Sequence, residues 1–239
     1  DNLIDFMPTY MPFCSYQVVN LGIQRKDNEV IQYWDAYLQK AKDCGYKLLS
    51  WNVWDKTIGG SIASATAMFL LTHEWIFVFG NEPKRLNRTI PNQIEKYAAR
   101  HGENWREGLR NKKIRLQDGS IGNTDSATYE NHQLHSVIQQ TPELGAIRSK
   151  HPAMFPIGLP SEYIKAMTDE GQIIIEPFTG SGTTMVAAHQ LNRKCYGMEL
   201  EPKYCQVIID RMLKLDPTLT VTRNGKPYQQ NKKLDEPKK

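Results

Sequence analysis

The chain has 239 residues, a formal charge of +4 and 40% apolar residues, enough for one large domain, or one carrying an insertion, around a real core. Its four cysteines, Cys14, Cys44, Cys195 and Cys205, lack the C-x-x-C spacing of a zinc site and the density of a disulfide scaffold, which excludes both and fits a reduced, cytoplasmic protein without a metal centre. No run reaches the roughly 18–20 apolar residues of a membrane span, and the opening DNLIDFMPTYMPFCSY has neither the charged region nor the long apolar stretch of a signal peptide.

QVVNLG (17–22) reads as a buried strand closed by glycine. In NEVIQYWDAYLQKAKDCG, residues Val30, Ile31, Trp34, Tyr37, Leu38 and Ala41 fall at helical spacing, and Gly45 ends the helix. YKLLSWNVWDK (46–56) and EWIFVFG (74–80) are further strands, so the chain opens as α/β. From about Asn81 to Lys150 the sequence turns polar, basic and loop-like, the pattern of an inserted subdomain or a long surface excursion. Order returns with a helix over SEYIKAM capped by Ser161 and stopped by Gly171. Then come strand QIIIEPF, helix TTMVAAHQLN, strand RKCYGMEL and helix PKYCQVIIDRMLKL with Pro202 in its first turn. The tail after Asp216 holds one short strand and then becomes compositionally disordered.

Charge is uneven. From Lys84 to Arg115 ten Lys and Arg face three acids, a local charge of +7, and Arg223 to Lys239 carries +4. Basic charge collected where the sequence looks least like core suits a polyanion such as nucleic acid, with a solvated surface as the competing reading.

The stretch IIIEPFTGSGTTMVAAHQLNRKCYGMELEP joins two strands through a glycine turn and a helix, and each strand ends near an acid. A parallel sheet forms its ligand crevice at such strand ends, where glycines let backbone approach a ligand and a helix presents free N–H groups. Thr183 stands where a phosphate-binding loop needs Lys, and Met185 where a dinucleotide fingerprint needs its third glycine. Glu176 repels phosphate and attracts an ammonium or sulfonium group. Glu199, nineteen residues after Gly180, is spaced to accept hydrogen bonds from ribose hydroxyls. A ribose-bearing ligand with a cationic amino-acid end and no phosphate is S-adenosylmethionine.

KHPAMFPIGLPSEYI, IIIEPFTGSGTTMVAA and RKCYGMELEPKYC together resemble the DNA amino-methyltransferases, which methylate adenine N6 or cytosine N4. The order of motifs resembles the rearranged members, with the cofactor motifs at the C-terminal end. The resemblance implies a Rossmann-like S-adenosylmethionine-dependent methyltransferase fold with core residues 1–80 and 150–215, a target-recognition insertion over 81–149 and a basic tail over 216–239. It implies that Glu176, Pro177, Phe178, Gly180, Ser181, Gly182, Thr183, Thr184 and Glu199 bind the cofactor, and that His151 and Phe155 lie in a loop closing over the same pocket. For His151 a loop-packing role competes. It further implies double-stranded DNA as the partner, met by Arg85, Arg88, Arg110, Lys112, Lys113 and Arg115. The oligomeric state stays open, a homodimer included.

One feature of the family is missing. Transfer to an exocyclic amine needs a polar acceptor and a stacking aromatic, supplied in the family by a (D/N/S)PP(Y/F/W) turn. MPTY (7–10) has Met7 at the acceptor position and only six residues between Tyr10 and Gln17, too few for a parallel crossover, which needs about a dozen. It reads as a loop, and GKPY (225–228) lies in the polar tail. The catalytic residues are therefore unassigned. The sheet is expected to lack its N-terminal catalytic strand, and residue 1 to lie shortly downstream of that turn in a longer protein. The competing function is an inactive DNA-binding or remnant protein that keeps the cofactor pocket.

Overall fold

The computed structural model describes residues 2–27, 29–57, 72–91, 99–100, 112–124, 131–142 and 155–228. They form two compact units, Asp1–Gln140 with Glu162–Asp169, and Thr141–Ser161 with Glu170–Lys239.

The first unit contains helix α1 (Asn2–Tyr10), a 3-10 turn (Met11–Phe13), β1 (Tyr16–Leu21), β2 (Arg25–Lys26), β3 (Glu29–Val30) and helix α2 (Trp34–Asp43). It continues through β4 (Lys47–Asp55), β5 (His73–Gly80), β6 (Ile90–Pro91), β7 (Lys112–Arg115), β8 (Ile121–Thr124), β9 (Asn131–His132) and β10 (Val137–Gln139). Strands β1, β5, β4 and β10 make one sheet in that order. Because β5 is antiparallel to both β1 and β4, those two run the same way, joined by α2 as a crossover. One face of β5 presents Phe77 and Phe79 to Met7, Tyr10, Met11, Tyr37 and Ala41 of the helical layer, all buried. On the other face Asn52, opposite Ile76, donates from Nδ2 to the Tyr163 hydroxyl at 2.9 Å. Phe77 is 0% exposed, its ring centroid 5.1 Å from that of Trp51. Phe77→Ala is expected to cost about 3–5 kcal/mol in chemical denaturation, the range for deleting a fully buried aromatic.

Three local expectations change in the first unit. MPTY is helical, not a loop: Met7, Tyr10 and Met11 are buried, and at roughly 1.5–3 kcal/mol for each large apolar side chain this outweighs the roughly 3 kcal/mol cost of Pro8 inside the helix. Val30 belongs to a β2–β3 hairpin turning at Asp27 (φ 53°), and α2 starts only at Trp34. The polar segment carries paired strands, β6 with β9 and β7 with β8.

Helix α3 spans Gly158–Met167. Ser161 is inside it rather than at its cap, with Oγ donating to the Ile157 carbonyl at 2.8 Å. Pro160 sits in the first turn, where its missing N–H is not needed. The second unit then runs β11 (Ile173–Glu176), α4 (Thr183–Gln190), β12 (Lys194–Gly197), α5 (Pro202–Leu215) and a hairpin of β13 (Thr222–Arg223) and β14 (Lys226–Pro227). Strands β11 and β12 are parallel, in register from Ile173 opposite Lys194 to Glu176 opposite Gly197. With α4 between them they form a βαβ unit, which α4 anchors through buried Val186, Ala187 and Ala188.

Candidate functional site

The βαβ unit brings two carboxylates to neighbouring strand ends. Glu176 closes β11, and Glu199 follows shortly after β12. Between β11 and α4 the backbone turns through Gly180 (φ 54°) and Gly182 (φ 81°), conformations that glycine adopts without steric cost. Backbone bonds fix this turn: Met198 N–H donates to Glu176 O at 3.0 Å, Thr179 N–H to Met198 O at 3.0 Å, and Gly182 N–H to Thr179 O at 2.8 Å. A Cβ on Gly182 would lie 3.0 Å from Ile208 Cγ1 of α5. That glycine therefore serves helix packing as well as the turn.

The two acids are held differently. Glu176 accepts from the Thr184 hydroxyl at 2.8 Å and from the Phe178 N–H at 3.2 Å. Burial pushes its carboxyl above the ordinary value, and these two hydrogen bonds pull it part of the way back. On the adjacent strand the Cys195 thiol is pushed up to about 12, by burial first and by the charge of Glu176 second, so it stays protonated and inert. Glu199 bridges two loops, accepting from Gly180 N–H at 2.7 Å and from Glu201 N–H at 2.9 Å. Each of its oxygens still has a lone pair to offer.

Around the turn Thr179, Ser181, Thr183 and Thr184 are buried, while the Phe178 side chain is exposed. Phe155 is half-buried just before α3; His151 lies outside the described residues. One residue at the site escaped the sequence reading: Arg211 of α5, whose Nη1 donates to Ser181 O at 2.7 Å, Ser181 Oγ at 3.0 Å and Thr183 Oγ1 at 3.1 Å. No local pattern singles it out: Ile208 and Arg211, three apart, share one face of α5, but what that face meets is set by the fold.

The basic residues fall in two settings. Lys113 and Arg115 are exposed on β7, on one side of the strand, as residues two apart must be. The Lys112 backbone belongs to the same strand, whereas Arg110 lies outside the described residues. Arg85 is exposed and Arg88 half-buried in the segment after β5. Asn87 fastens that segment to the end of α3, donating from Nδ2 to Lys165 O and Thr168 O at 3.1 Å each. Lys84 is engaged structurally, with Nζ donating to Met167 O at 2.7 Å. Among the described residues no His, Cys, Asp or Glu cluster could hold a metal ion, and no helix is long and apolar enough to cross a membrane.

Two parallel strands joined by a helix through a left-handed glycine turn form the crevice-bearing βαβ unit of a Rossmann-like α/β fold. The fold is shared with two solved structures. The M1.HpyAVI–SAM complex gives a TM-score of 0.55 at 16% identity, covering 88% of this chain and 82% of that one. The cytosine-N4-specific PvuII DNA methyltransferase gives 0.58 at 15% identity, covering 91% and 72%. Residues 13–210 match the family model described as DNA methylase, and the chain belongs to that family of N6/N4 amino-methyltransferases, whose cofactor is S-adenosylmethionine. Among curated relatives, the orphan methyltransferase M.BamHII of Bacillus amyloliquefaciens is 28% identical over 141 residues, which is 58% of this chain and 53% of that protein. The type II methyltransferase M.HpaI of Haemophilus parainfluenzae is 25% identical over 179 residues, 74% and 49% of the two. The chain thus spans about half the length of these relatives.

Proposed function

We propose that the protein transfers a methyl group from S-adenosylmethionine to an exocyclic amine in double-stranded DNA, adenine N6 ahead of cytosine N4. The observation that carries this reading is the pair Glu176 and Glu199 at adjacent strand ends around the glycine turn. Two carboxylates there repel a phosphorylated nucleotide and favour a cationic ligand. S-adenosylmethionine supplies a methyl group activated by the positive charge on sulfur, and the protein binds and orients it. Glu176 faces the ammonium end, and Glu199 accepts from the ribose hydroxyls with its remaining lone pairs. Pro177, Gly180, Ser181, Gly182, Thr183 and Thr184 shape the methionine end, Phe178 offers its exposed ring as a packing surface, and the loop with His151 and Phe155 covers the pocket.

In the same reading residues 81–149 recognise the target, supported by the basic run at 84–115. The target base leaves the stack at a cost of a few kcal/mol and is held by stacking, after which catalysis is mostly positioning and electrostatics. Replacing Lys112, Lys113 and Arg115 together with Ala is expected to flatten the salt dependence of DNA binding by roughly 0.9 in log–log slope for each phosphate that is no longer neutralised. A slope equal to the wild type's would take them out of the interface.

A second reading, a non-catalytic DNA-binding protein that keeps the pocket, is favoured by one observation. The MPTY segment is committed to the core, with the Tyr10 hydroxyl accepting from Gln17 Nε2 at 2.6 Å. Full-length protein incubated with double-stranded DNA and methyl-labelled donor decides between the two. Label recovered in N6-methyladenine or N4-methylcytosine supports transfer and identifies the base. Donor binding without label in any nucleoside supports the second reading, and absence of donor binding overturns both.

A further inference from the structure

We propose that Arg211 is a positioning residue for the methyl donor: it locks the Ser181–Gly182 peptide in one orientation and so keeps the turn after β11 in its receptive shape. The inference rests on the donor reading above and adds to it a residue outside the glycine motif.

Both ends of that peptide are held. Its carbonyl, on Ser181, accepts from Arg211 Nη1 at 2.7 Å, and its N–H, on Gly182, donates to Thr179 O at 2.8 Å. Gly182 stands at φ 81°, but glycine adopts negative φ about as readily. Rotation of this peptide plane is thus an easy route for the turn to change shape, and Arg211 opposes it from a different helix. The same nitrogen reaches Ser181 Oγ at 3.0 Å and Thr183 Oγ1 at 3.1 Å. A guanidinium only donates, so both hydroxyls accept from it and turn their own hydrogens elsewhere. The two hydroxyl oxygens lie 3.4 Å apart, so one hydrogen is used between them and the other is directed away from the cation.

The location argues against an incidental contact. Gly182 is the N-cap and Thr183 the first residue of α4, and a helix N-terminus attracts anions and repels cations. Arg211 stands there against the helix dipole, held by three oxygens, while Ile208 on the same face of α5 fills the space beside Gly182. Helix α5 therefore grips the turn through one cation and one apolar contact.

Two variants of the full-length protein test this. Arg211→Met keeps an apolar stem and removes the charge; Arg211→Lys keeps the charge and loses the planar fork. In Arg211→Met the Kd for S-adenosylmethionine by calorimetry, and the donor KM, are expected to rise about ten- to a hundredfold, the scale of a displaced binding group, and in Arg211→Lys about three- to tenfold. The KM for DNA and kcat at saturating donor should stay within about twofold. Donor affinity unchanged in Arg211→Met, or a DNA KM rising as much as the donor KM, overturns the proposal. If the Met variant does not fold, Arg211→Lys decides by the same criteria. A folded wild type that does not bind the donor removes the donor reading itself and Arg211's role with it; a wild type that binds beside unaffected variants removes Arg211's role alone.

Discussion

At neutral pH, Glu176→Gln is expected to melt at a higher temperature than the wild type without ligand, and yet to bind S-adenosylmethionine roughly 10- to 150-fold more weakly, the scale of a hydrogen bond to a charged group. The two effects share one cause. Burial raises the carboxyl's pKa, so folding favours the protonated acid. The stabilisation from that protonated form is complete below the ordinary value of 4.5 and is lost as the pH climbs through the raised value of the folded state. Above that raised value the folded protein carries a partly desolvated carboxylate, whose cost the Thr184 and Phe178 hydrogen bonds offset in part and a cationic ligand offsets further. Glutamine has the shape of the protonated acid. Its oxygen can take the Phe178 N–H while its NH₂ donates to Thr184 Oγ1, since that hydroxyl can rotate to accept. Melting curves across pH are the measurement. The gap between variant and wild type should close as the pH falls; a gap that is constant with pH, or a less stable variant, contradicts the assignment.

Gly182→Ala should damage the second unit through both backbone and packing. Alanine at φ 81° costs about 1–2 kcal/mol in the left-handed region. Its Cβ would also press against Ile208, 3.0 Å from Cγ1 and 3.2 Å from Cγ2, and overpacking of this kind costs about 1–3 kcal/mol. The expected loss is the sum, about 2–5 kcal/mol by denaturation, with donor binding weakened alongside. Removing both γ carbons of the neighbour in the double variant Gly182→Ala, Ile208→Ala should restore part of the steric share and none of the backbone share, a coupling that a double-mutant cycle reads directly. A single variant within about 0.5 kcal/mol of the wild type, the range of an ordinary surface change, would exclude both contributions.

The segment from Ile173 to Leu215 was the most legible part of the sequence because every local signal agreed. An apolar triplet, a Gly-Ser-Gly turn, a run of small helix residues and Pro202 at the start of α5 each pointed to the element observed. Elsewhere local and tertiary signals disagreed, and tertiary ones prevailed. The short spacing from MPTY to Gln17 argued for a loop, but Met7, Tyr10 and Met11 found a core to fill. Val30 and Ile31 matched a helical period, yet the tight turn at Asp27 pairs Val30 with Arg25. Ser161 looked like a cap because its side chain favours that position, while the helix had already begun at Gly158. At the site, the acids and glycines announced themselves by type and spacing. Arg211 did not, because its role depends on α5 folding back over the turn, an arrangement that no local pattern encodes.

Glu199 holds the backbone of two loops at once, through Gly180 N–H and Glu201 N–H. Under the proposed reading its clasp falls on a sugar common to fresh cofactor and to the demethylated product left after each cycle, so it cannot distinguish one from the other. The spent molecule is then expected to compete for the same clasp, which inhibition kinetics with the demethylated product measure.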